Sequence, residues 1–176
     1  MDNRKVVLYI AMSLDGYIAG PDDDLSFLSV VEKEGEDYGY GNFTAGVDTI
    51  IMGRKTYDWV MKQVPEFPHA DKETFIITRT EKPTSGNIHF FTGNLSDLIE
   101  KLKNKPGKTI FIDGGAEVVH SLLTQNLIDE MIISVIPNLV GAGTTLFKPG
   151  RTFKNLQLMG CKPFEKGLVQ LHYSCK

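Results

Sequence analysis

The stretch 46-GVDTIIMGRKTYD-58 decides how this chain is expected to fold. Its first part, Thr49 to Met52, is β-branched and aliphatic, which is typical of a strand covered on both faces. Gly53 follows the strand, and the helix predicted over 54–61 begins with two cations and a threonine. Because the free N–H groups and the dipole at a helix start attract anions, this junction predicts a site for a negatively charged ligand.

Strands of the same character recur along the chain and alternate with helical patterns. Five further strands are predicted at 5–12, 74–78, 88–91, 109–113 and 131–137. Helices are predicted over 95–103 and 116–123, where the apolar residues share one face. A further helix around 36–44 is weakened by glycines, each of which costs roughly 1 kcal/mol relative to alanine.

The C-terminal part has a different pattern. Two long strands, 152–162 and 168–176, are joined by 163-PFEKG-167 with no helix between them, and this predicts a hairpin. Strand–helix alternation followed by a hairpin predicts an α/β fold, a three-layer domain with a mainly parallel central sheet and an antiparallel C-terminal hairpin. We expect a single domain over residues 1–176.

Composition and charge exclude several classes of partner. The formal net charge of −3 gives no general attraction for nucleic acid or for an anionic membrane, so a polyanion needs a local cluster of cations. The two cysteines and four histidines are scattered without ligand spacing, so no metal site is predicted. The N-terminal apolar stretch, Val6 to Met12, is too short for a membrane span or a signal peptide, which predicts a cytoplasmic protein.

Ligands of such sheets bind beyond the carboxyl ends of the strands, so the segments that follow the strands carry the chemistry. Arg54 and Lys55 form one cationic cluster, and the strand ending at Thr78-Arg79 offers a hydroxyl–guanidinium pair as a second. A ligand with two separate phosphate groups satisfies both clusters, and NADPH, with its pyrophosphate and 2′-phosphate, has that layout. The alternative is a solvated helix start and an unrelated edge cation.

Gly114-Gly115 lies between an apolar strand and an amphipathic helix. Glycine at that point permits a positive φ or the close approach of a flat ligand to the backbone. An ordinary tight turn between strand and helix is the alternative explanation.

Five motifs, in order, carry a resemblance to a known family. They are IAMSLDGYIAG (10–20), DTIIMGRKTYD (48–58), FIITRT (75–80), IFIDGGAEVVHSLL (110–123) and DEMIISVIPNLVGAGTTLF (129–147). Together they resemble the dihydrofolate-reductase-like superfamily. Within it they are most similar to the branch named for the C-terminal domain of the bifunctional riboflavin-biosynthesis deaminase/reductase. The resemblance implies a dihydrofolate-reductase-like fold.

The resemblance also implies where NADPH binds. The cofactor phosphate would be held by Gly53, Arg54, Lys55 and Thr56, and the 2′-phosphate would be read by Thr78 and Arg79. The nicotinamide side would meet a cis peptide at Gly114-Gly115, followed by Ala116 and Glu117. The branch further suggests a homodimer.

Two acidic positions are candidates for catalysis. Dihydrofolate reductases carry a carboxylic acid on the helix before the Gly-Arg-Lys-Thr segment, and Asp37, with Glu36 beside it, has a similar offset. Such a group could donate a proton or hold an aminopyrimidine edge, although the two residues could equally form a solvated acidic patch. Ser13 and Asp15 match the Ser-Leu-Asp-Gly motif of the branch, which implies that they and the preceding Met12 lie near the acceptor. Asp15 could instead cap a turn with Gly16.

The sequence also departs from the branch. The lysine expected after the Ser-Leu-Asp-Gly run is Tyr17, and 21-PDDD-24 replaces a segment that usually lies near the sugar phosphate. Three functions therefore remain open. The first is an NADPH-dependent reductase of a flat nitrogen heterocycle, similar to 5-amino-6-(5-phosphoribosylamino)uracil reductase. The second is a dihydrofolate or pterin reductase, and the third is a non-catalytic NADPH-binding protein.

Overall fold

The computed structural model describes residues 4–150 and 153–176. Within them, eight strands form one sheet in the order β5-β4-β3-β6-β1-β7-β10-β9. The first six of these strands run parallel, while the last two return as an antiparallel hairpin. Their bounds are β1 (Val6–Ser13), β3 (Val47–Gly53), β4 (Glu73–Ile77), β5 (Ile88–Phe91), β6 (Thr109–Gly114), β7 (Glu130–Ile136), β9 (Gln157–Pro163) and β10 (Val169–Ser174).

Helices cover both faces of this sheet. On one face α3 (Leu95–Lys103) and α4 (Ala116–Thr124) bury their apolar sides against β1, β3, β6 and β7. On the other face the short α1 (Tyr40–Ala45) and the longer α2 (Arg54–Gln63) pack over the same strands. The three-layer α/β architecture with an antiparallel C-terminal hairpin is confirmed. None of the helices within the described residues is long and apolar enough to cross a lipid bilayer.

Most predicted elements lie within a few residues of their observed bounds. The strand predicted from residue 152 begins at Gln157, and Thr152 itself lies outside the described residues. Sequence reasoning missed a two-stranded sheet formed by β2 (Tyr17–Ala19) and β8 (Thr144–Thr145). Gly143 allows this pairing, since its φ is +125° and a Cβ there would lie 2.2 Å from the Ala19 carbonyl oxygen.

A buried cation joins the amino-terminal ends of the central strands. The Arg4 guanidinium is 5 % exposed, donates to the Lys108 carbonyl oxygen at 2.8 Å and to the Thr49 hydroxyl at 2.8 Å, and forms an ion pair with Asp48. It also donates to the Leu102 carbonyl oxygen at the end of α3. Because a buried charge is tolerated only when it is paired and hydrogen-bonded, Arg4 fixes the relative positions of β1, β3 and α3.

We expect Arg4→Met to lower the free energy of unfolding by about 3 kcal/mol, because the substitution removes the buried cationic partner of Asp48 and a donor to each of two carbonyl oxygens. Urea unfolding followed by circular dichroism measures this loss. The matched control is Lys5→Met, since the Lys5 side chain is 63 % exposed and its ion pair with Glu130 is worth less than about 1 kcal/mol. Equal losses in the two variants would contradict the role assigned to Arg4.

Candidate active site

A cleft of about 1420 Å³ opens at the carboxyl ends of the parallel strands. The ends of β3, β4 and β6, the middle of β1 and the N-termini of α2 and α4 all contribute to its walls. Parallel pairing places these ends at one edge of the sheet, which is where ligands of open α/β sheets bind. This cleft is the candidate active site.

Two helices start at glycines that lie close together. Gly53 precedes α2 and Gly115 precedes α4, and neither helix has a side-chain cap at its N-terminus. A Cβ added at Gly53 would lie 3.6 Å from the Gly115 nitrogen, and one added at Gly115 would lie 3.1 Å from the Thr56 hydroxyl oxygen. The first N–H groups of two helices therefore lie side by side in the cleft, an arrangement suited to an anionic ligand.

The two predicted cationic clusters line this same cleft. Arg54 donates from Nε to the Asp58 carboxylate at 2.6 Å, and its guanidinium lies 5.6 Å from the centre of the Phe90 ring. Arg79, which follows the neighbouring strand β4, is exposed and makes no hydrogen bond or ion pair with any described residue. One guanidinium is therefore held in position by its own helix and by an aromatic ring, and the other has its donors available for a ligand.

The remaining predicted cofactor residues also lie at the cleft. Lys55 is exposed at the start of α2, and the Thr78 hydroxyl accepts a hydrogen bond from the Thr80 amide at 3.2 Å. Glu117, in the first turn of α4, forms an ion pair with Lys148, whose hydrogen bond holds the pKa of that carboxyl below its usual value. This pair ties the segment after β8 to the start of α4.

Gly114-Gly115 is a cis peptide bond, which confirms that part of the expectation. Gly114 has a φ of +113°, a conformation that favours glycine. Both glycines and the following Ala116 line the cleft beside Asp113.

Asp113 is the functional candidate that sequence reasoning missed. It lies on the cleft wall directly before the cis peptide, and burial raises the pKa of its carboxyl to about 7. The side chain makes no hydrogen bond or ion pair with other residues in the described parts of the chain. A carboxyl group with such a pKa can hold a proton near neutral pH and release it to a ligand. The signal was an acidic residue at the carboxyl end of a buried central strand, directly before the glycine pair.

A tyrosine–histidine pair stands beside Asp113. The Tyr40 hydroxyl lies 3.0 Å from His69 Nε2, and burial together with the negative charge of Asp113 raises the pKa of Tyr40. Burial lowers the pKa of His69, which favours the neutral ring. Tyr40 therefore makes this wall of the cleft polar, and its neutral partner His69, which does not itself line the cleft, adds no fixed positive charge there.

Asp37 is not among the residues that line the cleft. Its carboxylate accepts hydrogen bonds from the Gly39 amide at 2.8 Å and the Gly41 amide at 2.9 Å, just before and within α1. The bond from Gly41, followed by that from Gly39, lowers the pKa of Asp37. Glu36 likewise accepts from the Tyr38 amide at 2.8 Å. Both carboxylates are used by the backbone around α1, and their catalytic role stays a prediction.

The Ser-Leu-Asp-Gly motif organises a loop beside the cleft. Ser13 donates to Asp15 at 2.5 Å, and Asp15 accepts from the amides of Val140 at 3.0 Å and Gly141 at 2.8 Å. The hydrogen bond from Ser13 is the main reason why the pKa of Asp15 is lowered. Met12 packs against the core, and neither it nor Ser13 lines the cleft. The structure thus places this motif at a turn, and its role at the acceptor stays a prediction.

Comparison with known proteins shows the family to which this chain belongs. The family model described as the RibD C-terminal domain matches residues 4–170. The uncharacterized protein YwjB of Bacillus subtilis is 41 % identical over 171 residues, which are 97 % of both chains. A crystal structure of a candidate riboflavin biosynthesis protein from Shewanella sp. PV-4 superposes with a TM-score of 0.88 at 30 % identity and covers 98 % of this chain and 99 % of the other.

A more distant structural neighbour shares the fold alone. Dihydrofolate reductase from Enterococcus faecalis, solved in complex with NADP(H), superposes with a TM-score of 0.68 at 14 % identity. The match covers 97 % of this chain and 95 % of that one. The dihydrofolate-reductase-like fold expected from the sequence is thereby confirmed.

The raised pKa of Asp113 predicts a specific pH dependence of stability. Between about pH 4 and about pH 7 the folded protein keeps a proton on this carboxyl that the unfolded chain loses, so the stability contributed by Asp113 falls as pH rises. Relative to the parent protein, Asp113→Asn should gain roughly 1.4 kcal/mol of unfolding free energy per pH unit across that window. Urea unfolding of both proteins at several pH values measures the gain. A difference that does not vary with pH would contradict the assignment.

Proposed function

The chain belongs to the RibD C-terminal domain family, and from this membership and the cleft we propose that it is an NADPH-dependent reductase of a flat nitrogen heterocycle. The family and the fold indicate an oxidoreductase. The observation that carries the proposal is the position of Asp113, a proton-holding carboxyl beside Gly114-Gly115, in the same cleft as the two cationic clusters. We further expect a cytoplasmic location and a homodimer, as the sequence predicts.

The residues of the cleft fit the cofactor NADPH. Two uncapped helix starts and the Thr56 hydroxyl supply hydrogen-bond donors for a pyrophosphate, with Arg54 and Lys55 adding positive charge. Arg79, whose donors are not used by other described residues, would bind the 2′-phosphate together with the Thr78 hydroxyl. The glycine pair leaves the backbone free of side chains where a flat ring would approach.

The proposed reaction divides between the cofactor and the chain. NADPH, when bound, supplies a hydride to a carbon of the acceptor's C=N bond. The acceptor nitrogen then needs a proton, and Asp113 is the carboxyl in the cleft whose pKa of about 7 lets it hold one near neutral pH. The surrounding walls, formed by Tyr40 and apolar residues of β1 and of residues 18–28, limit the access of water to that proton.

The alternatives differ in the acceptor or in the absence of a reaction. A dihydrofolate or pterin reductase would fit the shared fold, since a pterin is also a flat nitrogen heterocycle. The acid that the sequence offered for that function, Asp37, is occupied by two backbone amides of the segment around α1. A binding protein without catalysis would not need a carboxyl group in the cleft that holds a proton near neutral pH, as Asp113 does.

The assignment of Arg79 is tested by comparing NADPH with NADH. We expect NADPH at a hundred times its dissociation constant to stabilise the protein by about 2.7 kcal/mol, and NADH at the same concentration to stabilise it less. Thermal unfolding measures both shifts. Arg79→Ala should abolish the difference between the two nucleotides because it removes the partner of the 2′-phosphate.

The control for this experiment is Lys82→Ala. Lys82 is an exposed cation three residues further along the chain, it lies over the Phe90 ring, and it does not line the cleft. This variant should keep the preference for NADPH. Equal shifts for the two nucleotides in the parent protein would overturn the assignment of the 2′-phosphate to Arg79.

The reductase proposal itself is tested by the loss of NADPH absorbance with an aminouracil or with dihydrofolate as acceptor. We expect turnover with one of these heterocycles, and we expect Asp113→Asn to lower kcat by a factor of about 10²–10⁴, the usual contribution of a positioned acid. Asp37→Asn serves as the comparison, because a larger loss in that variant would transfer the catalytic role to Asp37. NADPH binding with no turnover of any heterocycle would favour the binding protein.

A further inference from the structure

Positive charge is divided unequally within the cleft. We define the nucleotide side as the walls formed by α2, the end of β4 and the start of α4, where Arg54, Lys55 and Arg79 lie. The fourth cation that lines the cleft within the described residues, Lys148, is ion-paired with Glu117 at the start of α4. All of the cleft's cations are therefore associated with the nucleotide side.

The opposite wall contains negative charge and apolar surface. We define the acceptor side as the part of the cleft lined by β1, residues 18–28 and Tyr40. Among the described residues that line it, none is arginine, lysine or histidine, and the one charged side chain is Asp23, which is exposed. Asp113 stands between the two sides, at the end of the central β6.

A second cavity, of about 690 Å³, lies next to the acceptor side. It shares Tyr9, Ala11 and Leu28 with the cleft, so its charged groups are close enough to influence a ligand bound at the acceptor side. Four carboxylates and a single ammonium group, that of Lys33, line this cavity, and Lys33 is ion-paired with Glu165. The four acidic residues are Glu32, Glu34, Glu36 and Asp37.

From this charge distribution, and resting on the proposed reductase function, we propose that the acceptor is a neutral or cationic heterocycle that carries no phosphate group. A phosphate monoester holds about −1.5 to −2 charges near pH 7, and sites that bind it supply arginine, lysine or uncapped helix starts. The acceptor side and the cavity behind it supply carboxylates instead, and like charges brought together lower affinity.

The same surfaces suit a different ligand chemistry. Amino groups on a pyrimidine or pterin ring and hydroxyl groups on a sugar chain donate hydrogen bonds, and carboxylates accept them. The apolar wall formed by Leu25, Phe27 and Leu28 offers a face for a flat ring. The departures of this sequence from its branch, Tyr17 and 21-PDDD-24, lie next to or within the acceptor side and remove positive charge there.

The experiment compares one aminouracil acceptor in two forms, with a free ribose and with its 5′-phosphate, in steady-state assays with saturating NADPH. We expect kcat/KM to be at least about tenfold higher for the form without phosphate, mainly through KM. Raising the ionic strength from about 0.01 M to about 1 M should bring the ratio of the two kcat/KM values closer to one, because salt screens the repulsion between the phosphate and the carboxylates. A kcat/KM that is equal for the two forms, or higher for the phosphorylated one, would overturn the inference and leave the reductase function standing.

A charge variant tests the cause of the preference. Asp23 has a φ of 60°, a conformation that asparagine tolerates well, so Asp23→Asn should fold normally. It should raise kcat/KM for the phosphorylated form severalfold relative to kcat/KM for the unphosphorylated form, because it removes the negative charge that faces the phosphate. Asp97→Asn, which removes an exposed carboxylate of α3 that lines neither cavity, should change neither value. If the ratio of kcat/KM for the two acceptor forms is the same in the parent protein and in both variants, the negative charge of Asp23 does not cause the preference.

A binding measurement separates this inference from the reductase proposal. If neither form is reduced, the proposed reaction with an aminouracil fails. Thermal unfolding of the NADPH-loaded protein can then still show whether the acceptor side binds a neutral or cationic compound in preference to a phosphorylated one. We expect 2,4-diaminopyrimidine, which is neutral or cationic, to raise Tm further, and uridine 5′-monophosphate at the same concentration not to do so. Stabilisation by the nucleotide monophosphate, or by neither compound, would overturn the inference.

Discussion

The parallel pairing of β3 with β6 is the constraint on which the rest of the site depends. It sets Met52 opposite Gly114, so that the glycines at which α2 and α4 begin, Gly53 and Gly115, lie close together. Two helix N-termini then open into one cleft with their first N–H groups uncapped. Neither helix alone would offer more than a weak attraction for an anion, and together they create a place for a pyrophosphate.

The order of the strands in the sheet also explains why the two sides of the cleft differ in charge. β4 and β3, which lie on one side of β6, bring the cations, whereas β1, which lies on its other side, brings apolar residues and the segment around Asp23. Asp113 is the last residue but one of the strand between them, β6. A cofactor rich in phosphate and an acceptor without phosphate would thus meet at a carboxyl group that can be protonated near neutral pH.

Two carboxylates that the sequence offers as catalytic candidates form hydrogen bonds with backbone amides in the structure. Asp15 holds the loop at Val140 and Gly141, and Asp37 holds the segment at Gly39 and Gly41. Hydrogen bonds to the charged form lower the pKa of both groups, which is the opposite of what a proton donor needs near neutral pH. Asp113 differs because burial acts on it without such bonds, and its pKa moves upward.

The sequence by itself determined the elements and their class. Local apolar periodicity, glycine positions and the cap at Asn94, which accepts from the Ser96 amide, depend on residues close together in the chain, so β5 and α3 have their predicted bounds. Each cationic cluster and the glycine pair could be recognised in the sequence because their residues are adjacent in the chain. Only the tertiary structure decided that Arg54 and Arg79 line one cleft, that Asp113 lies in its wall whereas Asp37 does not, and that the acceptor side lacks cations among the described residues. These features depend on burial and on charges contributed by segments distant in the chain, and no local pattern encodes how such segments pack.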